Sequence, residues 1–224
     1  MDISRWQELM RSAAILTWVV SLLMPYPVAT AEPGAGDLVE SVVKAAGGEA
    51  KLLTLFRFRE RVLITDTPAA PVSKDEKGNR TSVVRVAGDW WVDGAKRGKD
   101  KVRVLCWAWS LRILLDPQST IQSVPDIQVA DRLAFGLRVS GSVKEPVRLY
   151  FDKETRRLVA IDYDDTRHLF SEWMQTEQGH QYPSHVVGFR FENRDTGTLK
   201  AKQWYQTDIL ELTPLQELPD ELKR

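Results

Sequence analysis

Apolar and polar residues alternate with a period of two along most of this chain, most clearly from Val147 to Tyr163. There Val147, Leu149 and Phe151 alternate with Arg148, Tyr150 and Asp152; past the polar DKETRR stretch, Val159, Ile161 and Tyr163 alternate with Ala160 and Asp162. Two arms, each with one apolar face, and a polar turn between them predict a β-hairpin. A lone hairpin is marginal in water, so other strands must extend the same apolar face. The period recurs on both sides. Phe56, Phe58, Val62 and Ile64 alternate with Arg57, Arg59 and Arg61, and further strands are predicted at Arg80 to Ala87, Ser119 to Val124, Arg132 to Ser140, Arg167 to Met174, Ser184 to Arg194 and Leu199 to Ile209. About nine or ten strands, mostly sequential neighbours, make one long antiparallel meander, and the helices among them make the class α+β.

Two stretches break the period. Asp37 to Ala46 puts Leu38, Val42 and Ala45 on one helical stripe, with Asp37 as N-cap and Gly47-Gly48 as the stop, and a short helix from Glu49 to Leu55 follows. Lys99 to Leu115, KDKVRVLCWAWSLRILL, is predicted as one helix ended by Asp116-Pro117; a strand over Val102 to Trp109 is the alternative. That helix is apolar nearly all round, so it must be covered on several sides and sit inside something concave. Glu60 falls on the apolar face of the first strand, which is costly for a carboxylate and places it at an open edge or mouth. Gly88 to Gly98 is predicted as a turn region, where Trp90-Trp91 either caps the sheet or grips a ligand.

The N-terminus sets a compartment. The apolar run from Ser12 to Met24 is followed by Pro25, Pro27 and Ala29-Thr30-Ala31, the pattern of a secretory signal, which predicts residues 1–31 as a signal peptide and 32–224 as a single exported domain. The run is too short to cross a hydrocarbon core of about 30 Å, and no later stretch is long enough to span a membrane. Positive and negative residues balance, 31 Lys+Arg against 31 Asp+Glu, which leaves no electrostatic footprint for nucleic acid. With Cys106 as the one cysteine, no intrachain disulfide can form, so packing must hold the domain.

No catalytic constellation, metal site or cofactor motif is expected. His168, His180 and His185 fall on two strands and a turn, without zinc-ligand spacing. There is no G-x-S-x-G elbow and no Walker or dinucleotide-binding loop, and Cys106 lies in the most apolar segment, where a buried inert thiol is expected.

Several short segments occur in a set order along the chain, beginning with Ala45-Ala46-Gly47-Gly48-Glu49-Ala50-Lys51-Leu52 and Ala108-Trp109-Ser110-Leu111, running on to Leu115-Asp116-Pro117. Leu149-Tyr150-Phe151-Asp152-Lys153-Glu154-Thr155 with Leu158-Val159, then Phe170-Ser171-Glu172-Trp173 and Gly179-His180-Gln181-Tyr182-Pro183 follow. Together they resemble the LolA-like group of secreted proteins related to outer-membrane lipoprotein-sorting proteins, including planctomycete-type members. The chain departs from the pattern at Arg156-Arg157, where glycine is common, and at Asp220-Glu221-Leu222, where an aromatic residue is common. The resemblance implies a strongly curved antiparallel sheet, an open or half β-barrel of the LolA/LolB kind, with helices in its concave face. It also implies a periplasmic or secreted, non-enzymatic protein whose cavity takes a lipid, a lipoprotein or another hydrophobic ligand. The expected lining is Leu105, Trp107, Trp109, Leu111 and Leu114 with Trp90 and Trp91. The alternative is an interaction or scaffold module whose cavity is filled by its own helix.

Overall fold

The structure, a computed structural model, describes residues 33–72, 75–98 and 101–223; the segment expected to be a signal peptide and Lys99-Asp100, where the second helix was expected to begin, lie outside them. Helix α1, Ala35–Ala45, precedes strands β1 (Leu55–Leu63), β2 (Arg80–Arg85), β3 (Trp90–Val92) and β4 (Ala95–Arg97). Helix α2, Lys101–Trp109, is followed by β5 (Thr120–Val129), β6 (Arg132–Ser140), β7 (Val147–Asp152), β8 (Leu158–Tyr163), β9 (Thr166–Gln175), β10 (Gln181–Asn193) and β11 (Thr198–Pro214). Every β-pairing is antiparallel, and the eleven strands form one sheet in the order β4-β3-β2-β1-β11-β10-β9-β8-β7-β6-β5.

Pairing of β1 with β11 joins the two ends of the chain in mid-sheet and leaves β4 and β5 as edges, so the sheet is not closed. It is curved, because Trp90 of β3 and Leu137 of β6 belong to the same buried core. In a flat sheet those strands, eight steps apart, would be separated by about 40 Å at about 4.8 Å per step. The concave side holds α2, which buries Cys106, Trp107, Ala108 and Trp109, and α1, which buries Leu38 and Val42.

The hairpin at Val147–Tyr163 forms as the pattern requires, with Arg148 opposite Asp162 and Leu149 opposite Ile161. Its turn is held by Asp152 Oδ1, which accepts from the Thr155 backbone at 2.6 Å, the Thr155 hydroxyl at 2.9 Å and the Glu154 backbone at 3.0 Å. Burial would raise the Asp152 pKa, yet these hydrogen bonds hold it below the usual carboxylate value. Arg156 takes the positive φ of 59° that glycine would supply.

Several elements differ from the expectation. Gly88 to Gly98 is a hairpin rather than an irregular turn: Asp93 and Gly94 both have positive φ, the pair that a two-residue type I′ turn requires. The long second helix is broken. It ends at Trp109, Leu111 adopts a left-handed φ of 63°, and Arg112–Leu115 is a separate 3-10 turn. Glu49–Lys51 is likewise only a 3-10 turn, and Asp37 is the third helical residue rather than the N-cap, accepting a hydrogen bond from the Gly34 backbone. Strand β5 runs on to Val129, because a bulge between Val124 and Ile127 absorbs Pro125 and Asp126. Past β11, Leu218 and Leu222 fold back onto Val83 and Trp91, so the C-terminal stretch covers the outer face instead of adding a strand.

Candidate functional site

The concave face and α2 enclose a cavity of about 390 Å³. Alternation along the central strands decides what reaches it. Phe58, Glu60 and Val62 of β1, with Ile64 just past its end, point inward, as do His168 and Phe170 of β9, Val186 and Arg190 of β10, and Tyr205, Thr207 and Ile209 of β11. Helix α2 contributes Lys101, Val102, Leu105, Cys106 and Trp109. Exposure orders the wall: Phe58 and Ile209 are buried deep, whereas Ile64 is 74% exposed and marks the mouth.

The apolar lining is interrupted by charges that occur in pairs. Glu60 is not at an open edge or mouth, as its place on an apolar face suggested: it is only 2% exposed, and it accepts from Arg80 Nε at 2.7 Å and from the Ser82 hydroxyl at 2.9 Å, which offset the cost of burying it. Burial pushes its carboxyl above the ordinary value although Arg80 and Ser82 pull it down. Lys101 pairs with Asp164, and Arg190 lies 4.0 Å from Asp165 with its guanidinium over the Trp204 ring. Each cation on the wall thus has a carboxylate partner, and the cavity has no surplus charge of either sign.

Between the pairs sits a hydrogen-bonded dyad: His168 Nδ1 and the Tyr205 hydroxyl are 2.5 Å apart. Burial drives the His168 pKa down to about 3, so its imidazole is neutral at physiological pH. The same burial, with the nearby charge of Glu60, raises the Tyr205 phenol. Burial, followed by the Glu60 charge, lifts the Cys106 thiol to about 12, which keeps it protonated and a weak nucleophile.

Of the residues expected to line the cavity, Leu105 and Trp109 do so. Trp107, Leu111 and Leu114 do not: they pack into the main core, with Leu111 beside a void of only about 30 Å³ next to α1. Trp90 and Trp91 are also off the cavity. Adjacent strand residues face opposite sides, so Trp90 joins the inner core and Trp91 the outer cluster with Leu218 and Leu222. Periodicity on β1 already pointed inward at Glu60, but the contributions of β9, β10 and β11 were missed. The sequence signal available was the shared parity of His168 and Phe170, and of Tyr205 and Ile209.

The other histidines lie apart. His180 Nδ1 is 2.8 Å from the Lys51 carbonyl oxygen, and His185 Nδ1 is 2.6 Å from Asp208 Oδ1 on the outer face. Among the described residues, no group of three His, Cys, Asp or Glu is placed to hold a metal ion, and no helix is long and apolar enough to cross a membrane.

No protein-family model and no curated protein matches the chain. Solved structures similar to it include an LolA superfamily protein from Nitrosomonas europaea, at 14% identity and a TM-score of 0.48, covering 85% of this chain and 97% of that one. A DUF1329 family protein from Desulfovibrio piger is 12% identical at a TM-score of 0.47, covering 84% and 96% of the two chains. A structure described as an outer membrane lipoprotein-sorting protein domain from Vibrio parahaemolyticus is 10% identical at 0.48, covering 84% and 94%. These include members of the group that the sequence segments resemble.

Proposed function

We propose that this chain is an exported, non-catalytic binding protein that shelters a hydrophobic ligand, such as a lipid or a lipidated protein, in the cavity between α2 and the concave face of the sheet. The observation that carries the reading is volume. A cavity of about 390 Å³ remains after the helix has packed, within the range of roughly 300–1,000 Å³ typical of small-molecule sites. Phe58, Leu105, Trp109, Phe170, Val186 and Ile209 give it a mostly apolar wall. A scaffold with a self-filled interior would bring those side chains to core density and leave no such space. Export rests on the N-terminal segment, and mass spectrometry of the mature protein should find Glu32 first.

The test is uptake of diphenylhexatriene, an apolar probe that fluoresces when removed from water. Wild type should take it up, and Val186→Trp, which fills the cavity from β10, should abolish uptake while the protein stays folded. Absence of uptake by wild type, or equal uptake by Val186→Trp, would sink the carrier reading.

A further inference from the structure

Tyr205, Gly188 and His168 are cross-strand neighbours on β11, β10 and β9, in register and on the cavity side. A side chain at the middle position would separate the outer two. Gly188 has none, and the Tyr205 ring lies across the space: a Cβ at Gly188 would stand 1.8 Å from Tyr205 Cε1 and 2.3 Å from Cδ1. The glycine is therefore what lets the phenol cross a whole strand and reach His168 at 2.5 Å. Glycine weakens a strand interior and often marks a close approach, and here what approaches is a polar group that could have stayed in water.

The hydrogens of the dyad leave one free. A neutral imidazole carries one N–H and the phenol one O–H, and the contact between them uses one of the two. If Tyr205 donates to Nδ1, His168 keeps an Nε2–H; if Nδ1–H donates, the phenol keeps its own hydrogen. In either tautomer one uncharged donor is left, on residues that line the cavity. On that wall Arg80, Lys101 and Arg190 face Glu60, Asp164 and Asp165 respectively, so a carboxylate or phosphate entering the cavity meets no unpaired cation.

We propose that the Tyr205–His168 dyad, positioned by Gly188, is the polar anchor of the cavity and selects slender apolar molecules bearing one uncharged hydrogen-bond acceptor, an ester or amide carbonyl, over their anionic counterparts. This rests on the carrier reading and adds to it a chemical class of ligand and the residues that recognise it. The apolar part lies toward Phe58, Phe170 and Ile209, and the carbonyl accepts the free hydrogen part-way to the mouth.

Three probes separate the possibilities: diphenylhexatriene, parinaric acid and parinaric acid methyl ester, each titrated by fluorescence. Wild type should bind the ester more tightly than the acid at neutral pH. The double variant Tyr205→Phe with His168→Phe removes both hydrogens of the dyad, whichever residue holds the free one, and should weaken the ester by about three- to tenfold, the factor carried by one neutral hydrogen bond, with diphenylhexatriene changed less than twofold. A second measurement needs no variant: the carbonyl stretch of isotope-labelled ester bound to wild type should fall below its position in hydrocarbon solvent. Ester affinity untouched by the double variant, a carbonyl stretch at its hydrocarbon position, or tighter binding of the acid would each overturn the anchor while leaving the carrier reading intact. Failure of wild type to bind diphenylhexatriene would instead overturn the carrier reading itself.

Discussion

Replacing Arg80 with leucine isolates the electrostatics of the buried carboxylate on the cavity wall. Its partner Glu60 is 2% exposed on the cavity wall and holds Arg80 Nε at 2.7 Å, while the arginine side chain is 27% exposed. Breaking a buried pair by removing one partner costs about 3 to 5 kcal/mol, because the other charge is left uncompensated. The partial exposure of Arg80 and the surviving 2.9 Å bond from Ser82 put the expected loss at the lower end, about 3 kcal/mol near neutral pH. The pH dependence has a definite sign. Burial raises the folded-state pKa of Glu60 above the ordinary 4.5, so above that value the native state holds more protons than the unfolded chain and stability falls as pH rises. Arg80 opposes that rise, so removing it widens the gap between the two states. Urea unfolding of Arg80→Leu should therefore show a loss of about 3 kcal/mol at about pH 8 and under about 1 kcal/mol at about pH 4, where the carboxyl is protonated. The double variant Glu60→Leu with Arg80→Leu should return to within about 1 kcal/mol of wild type, since no charge remains to bury. An equal loss at both pH values would refute the reasoning, because it would mean the carboxyl is solvated in the folded protein.

Two further outcomes follow from the packing. Trp109→Ala should cost about 3 kcal/mol in urea unfolding, the low end for a buried tryptophan, because its ring packs against Phe56 at 5.2 Å but also borders the open cavity; a loss under about 1 kcal/mol would show that the ring contributes little to the core. Arg156→Gly should raise stability by about 0.5 kcal/mol, since glycine removes a left-handed penalty of about 1 kcal/mol while the cation–π contact with Phe135 at 5.2 Å is lost, and a destabilised variant in thermal melts would show that the contact outweighs the strain.

Strand parity carried most of the fold in the sequence. The hairpin at Val147–Tyr163, the first strand and the meander through β11 were legible because each buries one face and exposes or pairs the other. Asp93-Gly94 was an equally legible turn, but β3 and β4 around it are three residues each, too short to show a period. The break at Leu111 was hidden for a different reason: Ser110 and Arg112 beside it are equally compatible with a continuing helix, and the left-handed residue there is leucine rather than glycine. The cavity was legible only in part. Leu105 and Trp109 stood out as apolar surface in excess of one core stripe, yet the remaining wall comes from β1, β9, β10 and β11, whose side chains are brought together by a β1–β11 pairing between opposite ends of the chain. Gly188 was visible as an interruption of a strand pattern, but the ring it admits comes from another strand, and no local rule links them.

An empty interior is expensive, and that expense gives the carrier reading a thermodynamic signature. At about 24 cal/mol per Å³ of residual cavity, a dry volume of 390 Å³ would forfeit about 9 kcal/mol, a sum comparable to the whole stability of an ordinary domain, about 5 to 15 kcal/mol. Water at the mouth and around the paired charges offsets part of this, but not along Phe58, Phe170, Val186 and Ile209, where water finds no partners. A molecule that fills the space restores those contacts in the native state and has no equivalent site in the unfolded chain. By mass action, a ligand at a hundred times its Kd adds about 2.7 kcal/mol. For a domain of this size each kcal/mol moves the melting temperature by about 2 to 4 °C, so the expected rise is about 5 to 10 °C. Thermal melts with saturating diphenylhexatriene should show that rise for wild type and lose it for Val186→Trp, whose own melting temperature should start higher because the indole already fills part of the void. A wild-type melting temperature indifferent to a bound, fluorescent probe would place the probe on the outer surface rather than between α2 and the sheet.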